Sequence, residues 1–160
     1  MDVIYHPVGI IHSPFHELSG MPIQSSSEFS APGTVEILPE FTPALKDLDG
    51  FSHIILIYHL HKSHRGALTV TPFLDSKTHG VFSTRAPHRP NPIGLSVVKL
   101  VRIEESILYV ENLDVLDGTP LLDIKPYVPE FDSTPEIRLG WLENAIGNIH
   151  NIRSDKRFIG

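Results

Sequence analysis

Apolar and polar positions change over short runs punctuated by Pro and Gly, which is a strand pattern rather than a helical one. Residues 3–12, with Val3, Ile4, Tyr5, Val8, Ile10 and Ile11, predict a strand that begins or bulges near Pro7 and ends at Ser13-Pro14. Residues 15–30 lack periodicity and contain Gly20, Pro22 and Ser25-Ser26-Ser27, so they predict a surface loop. Pro32-Gly33 predicts a turn before a half-buried strand over 34–38, and 43–48 predicts one helical turn. Residues 51–61 form the most hydrophobic run, which predicts a central strand buried on both faces at its start. A further short strand is expected over 68–73.

Past residue 80 the pattern changes. Val81 and Phe82 read as a β-type entry, and residues 95–103 and 107–113 as strands joined by a hairpin at Glu104-Glu105-Ser106. Asp117-Gly118 predicts a turn before a strand over 121–127. Thr134-Pro135-Glu136 matches a helix start, with Ile137, Leu139, Trp141, Leu142 and Ile146 as its apolar side, Gly147 as its end and a tail over 153–160. The sum predicts an all-β chain: a single small β-barrel with short helical segments and a C-terminal helix. Residues 1–160 form one domain on this reading, with the core over about 5–130 and the helix and tail over 134–160.

Between the two halves lies a stretch that resists both helix and ladder. Pro87, Pro90 and Pro92 restrict their own φ and that of Ala86, Arg89 and Asn91, so Arg85, His88 and Arg89 sit on a stiff ordered loop. Such a loop loses little entropy when a ligand binds. A rigid crossover between strands is the structural alternative.

Charge sharpens this picture. The chain of 160 residues carries a net −6, which argues against gripping nucleic acid over its whole surface. Between His61 and Asn91, however, the local balance is +4, against −10 for the remainder. A bounded anionic ligand suits that asymmetry. Cysteine is absent, so disulfides, thiolate catalysis and cysteine-based metal sites are excluded. No basic leader or long apolar run is present, and the expectation is a soluble cytoplasmic protein without membrane contact.

His59, His61 and His64 suggest a metal site, because alternate strand residues share a face. No suitably spaced carboxylate accompanies them, so the same histidines also read as a pocket lining or a strand end, and no metal is expected. Asp114 and Asp117 read either as turn formers or as acceptors for a cationic or hydroxyl-rich ligand.

The run from Gly80 to Arg85, Arg89-Pro90-Asn91-Pro92-Ile93-Gly94-Leu95-Ser96, Asp117-Gly118-Thr119-Pro120 and Asp123-Ile124-Lys125-Pro126-Tyr127 together resemble the TsaA-like family, also called the TrmO or YaeB family. Val8-Gly9-Ile10-Ile11-His12-Ser13-Pro14 and Phe51-Ser52-His53 add to the resemblance, which covers about 5–130. It implies a β-barrel methyltransferase that uses S-adenosyl-L-methionine, forms a homodimer and methylates N6 of N6-threonylcarbamoyladenosine beside the tRNA anticodon. It places cofactor contacts at Ser25, Ser26 and Ser27, at His64 and Arg65, at Arg85, His88 and Arg89, and at Asp114, Val115, Leu116 and Asp117. Longer members carry a C-terminal extension that this chain lacks.

The acceptor nitrogen is a weak nucleophile because its lone pair is delocalised, so a base is expected, with His88 and Asp117 as candidates. Arg85 and Arg89 suit a carboxylate or phosphate, since a guanidinium fork pairs bidentately with such groups. Two other functions remain open from the residues: a non-catalytic barrel that binds RNA or a small ligand, and a hydrolase built on His59, His61 and His64.

Overall fold

Short strands that are apolar on alternate residues bury one face each, and closing the sheet on itself removes its edges. A computed structural model describes residues 1–21 and 31–145 and shows this solution. The strands are β1 (Gly9–His12), β2 (Ala31–Ile37), β3 (His53–His59), β4 (Thr69–Val70), β5 (His79–Gly80), β6 (Ile93–Glu104), β7 (Ile107–Leu113) and β8 (Thr119–Pro126). Six close into a barrel in the order β1-β2-β7-β6-β3-β8, with antiparallel neighbours throughout, while β4 and β5 form a separate ribbon. This winding brings the ends of β1, β3 and β7 and the starts of β2, β6 and β8 to one mouth. Among the described residues no helix is long and apolar enough to cross a membrane.

The core is the inner face, where Ile11, Val35, Ile54, Leu56, Val98, Leu108 and Leu121 are fully buried. A fully buried side chain of this kind stabilises by about 1.5–3 kcal/mol relative to exposure. A second small cluster, Val70, Val81 and Ala86 with Ala67 and Phe73 against it, lies under the ribbon and the Pro-rich loop.

Several expectations are corrected. β1 starts at Gly9, and Val3, Ile4 and Tyr5 are exposed before it. Pro32-Gly33 lies inside β2 rather than in a turn: a register shift between Ala31 and Gly33 absorbs the proline that cannot donate. β3 is buried on one face only; Ile54, Leu56 and Tyr58 point inward, and Ile55 and Ile57 lie on the outer surface. Val81-Phe82 does not extend a strand but forms a 3-10 turn, Val81–Ser83. Residues 43–48 are replaced by two 3-10 segments, Pro39–Leu45 and Leu48–Gly50.

The helix expected from Thr134 is absent over 133–139. α1 (Pro129–Asp132) precedes it and a 3-10 segment, Gly140–Asn144, follows. Gly140 has a left-handed φ of 57°, which stops a helix there. Ile137 and Leu139 are exposed, so no apolar face holds a helix on the barrel. Ile146, Gly147 and the tail lie outside the described residues.

Candidate functional site

The Pro-rich loop enters the mouth on a firm base. Thr84 and Ala86 are buried while Arg85 between them is exposed. The Thr84 hydroxyl donates to the Val81 carbonyl at 2.9 Å and accepts the Ala86 N–H at 3.2 Å. Arg89 Nη1 donates to the carbonyls of Thr84 and Ala86, both at 3.0 Å, so its guanidinium holds the loop in shape from below. His88 is half-buried on the same frame.

The segment after β3 braces that loop from the other side. Leu60 N–H donates to the Pro92 carbonyl at 2.7 Å, and Ser63 Oγ donates to that of Pro87 at 2.8 Å. His64 and Arg65 are exposed on this brace. His61 lies just past the end of β3, with Nδ1 3.3 Å from Thr119 Oγ1. Burial, then the charges of Lys62, His59 and His64, hold its imidazole below the ordinary pKa. The alternation expected to put His59 and His61 on one strand face is therefore cut short at His59. Among the described residues no three His, Asp or Glu side chains are grouped to hold a metal ion.

The two aspartates of the β7–β8 loop have different surroundings. Asp117 turns towards the N-terminal segment: its Oδ1 accepts the Ser13 N–H at 3.0 Å, and its backbone N–H donates to the Phe15 carbonyl at 2.7 Å. His12 Nδ1 is 3.6 Å from Oδ1, and His16 Nδ1 is 3.5 Å from Oδ2. Val115 and Leu116 place their side chains in buried positions. Their carbonyls accept from Ser13 Oγ at 2.5 Å and Thr119 Oγ1 at 2.7 Å, respectively, which ties the loop to β1 and β8.

Asp114 turns the other way, onto a chain of hydroxyls that sequence reasoning missed. Ser96 Oγ donates to Asp114 Oδ1 at 2.5 Å, and Tyr58 OH lies 2.9 Å from the same Ser96 Oγ. With the serine proton committed to the carboxylate, the phenol donates to the serine. Tyr58 and Ser96 are buried on adjacent strands, β3 and β6. Burial pushes the Asp114 carboxyl up to about 6; the Ser96 bond and the nearby Arg85 charge act in the opposite direction. Burial, and then the Asp114 charge, push the Tyr58 phenol well above its ordinary value. The available signal was parity: Ser96 is a polar residue on the same face of β6 as buried Val98 and Leu100.

The mouth thus gathers His61, Arg85, Arg89, Asp114 and Thr119, with His64, Arg65 and His88 on the surrounding loops. Asp117 joins through its turn but directs its carboxylate to His12, Ser13 and His16. Ser25, Ser26 and Ser27 lie outside the described residues.

Comparison with known proteins gives this geometry a context. A "Probable S-adenosyl-L-methionine-binding protein" of Pyrococcus abyssi is 54% identical over 156 residues, covering 98% of this chain and 85% of the relative. The human protein named tRNA (adenine(37)-N6)-methyltransferase is 37% identical over 145 residues, 85% of this chain but only 32% of its own length. A crystal structure of TrmO from Pseudomonas aeruginosa superposes with a TM-score of 0.73 at 41% identity, over 88% of this chain and 62% of that one. The chain therefore spans less than two thirds of the TrmO structure and about a third of the human relative. The family model described as the tRNA-methyltransferase O N-terminal domain matches residues 10–133, which hold all of the barrel except Gly9 at the start of β1, and the chain belongs to that family.

Proposed function

We propose that this chain is an S-adenosyl-L-methionine-dependent methyltransferase that methylates N6 of N6-threonylcarbamoyladenosine next to the tRNA anticodon. Family membership supports the reaction class, and the names of the Pyrococcus and human relatives support the cofactor and an adenine N6 acceptor in tRNA. The observation that carries the reading is the meeting, at one barrel mouth, of a braced basic loop with a partly buried carboxylate on its own hydrogen-bond chain. A tRNA substrate supports a cytoplasmic location.

The residues suit the cofactor's chemistry, which pairs an ammonium and a sulfonium with a carboxylate and ribose hydroxyls. Arg85, His64 and Arg65 supply positive charge, the β7–β8 loop supplies Asp117 beside Val115 and Leu116, and Ser25, Ser26 and Ser27 remain proposed contacts. When bound, S-adenosyl-L-methionine supplies an electrophilic methyl group. The protein's share of the work is to hold the acceptor in line, exclude water and receive a proton. Arg89 fixes the loop that presents Arg85 and His88.

The outer face of β3 and β6 supports a homodimer. Leu95 pairs with Ile57, Val97 with Ile55 and Ile93 with His59, which leaves Leu95 and Ile93 half-exposed on a sheet surface.

Calorimetric titration with S-adenosyl-L-methionine and its demethylated product, followed by methyl transfer to threonylcarbamoylated tRNA, tests the reading. Saturable binding near one site per chain and methylation of the modified tRNA are expected. RNA binding by folded protein that is indifferent to the cofactor would instead identify a non-catalytic module.

A further inference from the structure

We propose that Asp114 takes the proton released when the acceptor nitrogen is methylated, and that Ser96 and Tyr58 are positioning residues that hold its carboxylate for the task. The proposal rests on the methyltransferase reading above. The transfer forms an N–CH3 bond and breaks the methyl–sulfur bond, whose electron pair stays on sulfur. The nitrogen's N–H proton passes to the Asp114 carboxylate and from there to water, so charge and atoms balance.

Geometry singles out Asp114. Its carboxylate is the terminus of a directed chain, Tyr58 O–H to Ser96 Oγ and Ser96 O–H to Asp114 Oδ1. The carboxylate accepts from Ser96 and from its own backbone N–H, and with about four lone-pair sites it still has room to accept a proton. Asp117, by contrast, already accepts the Ser13 N–H and is flanked by His12 and His16. The chain is also built for one position. Tyr58 can lie against β6 only because Gly94 has no side chain: a Cβ there would come within 2.4 Å of the ring. Ser96 then sits two residues along the same strand, on the same inner face.

Among the described residues, the charged or titratable groups that act on Asp114 are Tyr58 from β3 and Arg85 from the Pro-rich loop. β6 contributes only the uncharged Ser96. Burial raises the carboxyl towards neutrality, where a base exchanges protons most effectively, and the serine bond and Arg85 keep it ionised at physiological pH.

The test compares wild type, Asp114→Asn, Ser96→Ala, Tyr58→Phe and His88→Ala in three measurements: NMR titration of the Asp114 carboxyl in the free protein, calorimetric binding of S-adenosyl-L-methionine, and single-turnover methyl transfer against pH. Asp114→Asn is expected to bind the cofactor within a few-fold of wild type while losing roughly 10²–10⁴ in transfer rate. Ser96→Ala removes a bond that favours the ionised form, so the carboxyl titration and the acid limb of the rate must move upward together. Tyr58→Phe, which keeps the ring, moves both by less in the same direction. A rate within tenfold of wild type in Asp114→Asn would overturn the proposal. So would a parallel loss of cofactor binding, an acid limb that stays put while the NMR midpoint moves, or rate loss confined to His88→Ala. Failure of every variant and of wild type to bind cofactor would remove the methyltransferase reading and the proposal with it.

Discussion

Tyr58 and Gly94 face each other across the β3–β6 ladder, and the phenol ring fills the space that a side chain at 94 would occupy. Gly94 therefore matters for packing rather than for turn formation. A methyl group there would lie 2.4 Å from Tyr58 Cε2 and 2.8 Å from Cζ, so the ring must move and release Ser96. Gly94→Ala is expected to lose about 1–3 kcal/mol, as overpacked cores do. Gly80→Ala is the control, since nothing lies within 4 Å of its Cβ position. Urea denaturation should separate the two, with Gly80→Ala within about 0.5 kcal/mol of wild type.

Arg89 and Arg85 belong to the same loop, yet mutation should separate their roles. Arg89→Ala removes both bonds to the loop's own carbonyls, and faster hydrogen exchange over 84–89 with a loss of about 1–3 kcal/mol is expected. Arg89→Lys should rescue little, because an ammonium lacks the planar fork. Arg85→Ala removes a positive charge that favours ionised Asp114, so the NMR midpoint of that carboxyl should rise, and Arg85→Lys should restore most of it.

How much of this was legible in the sequence varies with the range of the interaction. The barrel strands from 93 onward follow from alternation and turn residues, and the stiffness of the loop follows from its three prolines. Pro32-Gly33 misled because a bulge hides proline inside a strand, and that depends on a partner, β7, some 80 positions away. Thr134-Pro135 has a sound local start signal, but a helix also needs a surface to bury against, and the sequence does not display one. The Tyr58–Ser96–Asp114 chain spans three strands' worth of sequence and exists only once β3 and β6 pair. Motif reasoning found Asp114 but treated it as a twin of Asp117, because loop composition says nothing of which way each carboxylate turns.

Trp141 reaches back to the loop from beyond the 10–133 family region. Its Nε1 donates to the Ser83 carbonyl at 2.8 Å, and its ring stacks on His79 at 4.5 Å between centroids. His79 Nε2 lies 2.8 Å from Asp75 Oδ2, and that bond holds the Asp75 carboxyl below its ordinary pKa. Trp141 is the chain's single tryptophan, so the tryptophan emission reports on the surroundings of this contact. Asp75→Asn is expected to change the emission of the folded protein. Trp141→Ala should speed hydrogen exchange over 81–85 while leaving the barrel strands protected.

Leu95→Glu tests the dimer proposed on the outer face of β3 and β6. The side chain is half-exposed opposite Ile57, so a carboxylate there leaves the core intact but disfavours a second apolar surface. Light scattering should show a dimer for wild type and a monomer with the same melting behaviour for the variant.

Asp114 should also leave a mark on stability that needs no substrate. Its carboxyl is raised from 3.8 to about 6 in the folded protein, chiefly by burial. Between those values the native state binds more protons than the unfolded chain, so stability falls as pH rises through the window and the loss is complete above it. At about 1.4 kcal/mol per unit, the charged carboxylate costs on the order of 2–3 kcal/mol at pH 7.5. Asn keeps an oxygen for the Ser96 hydroxyl and carries no charge at any pH. Asp114→Asn is therefore expected to match wild type near pH 4 and to exceed it by roughly 1–3 kcal/mol at pH 7.5 in urea denaturation. A variant equally less stable at both values would mean that the folded carboxylate is comfortable in its ionised form. The predicted gain, together with a loss of transfer rate, is the pattern expected when stability is given up to keep a charge where chemistry needs it.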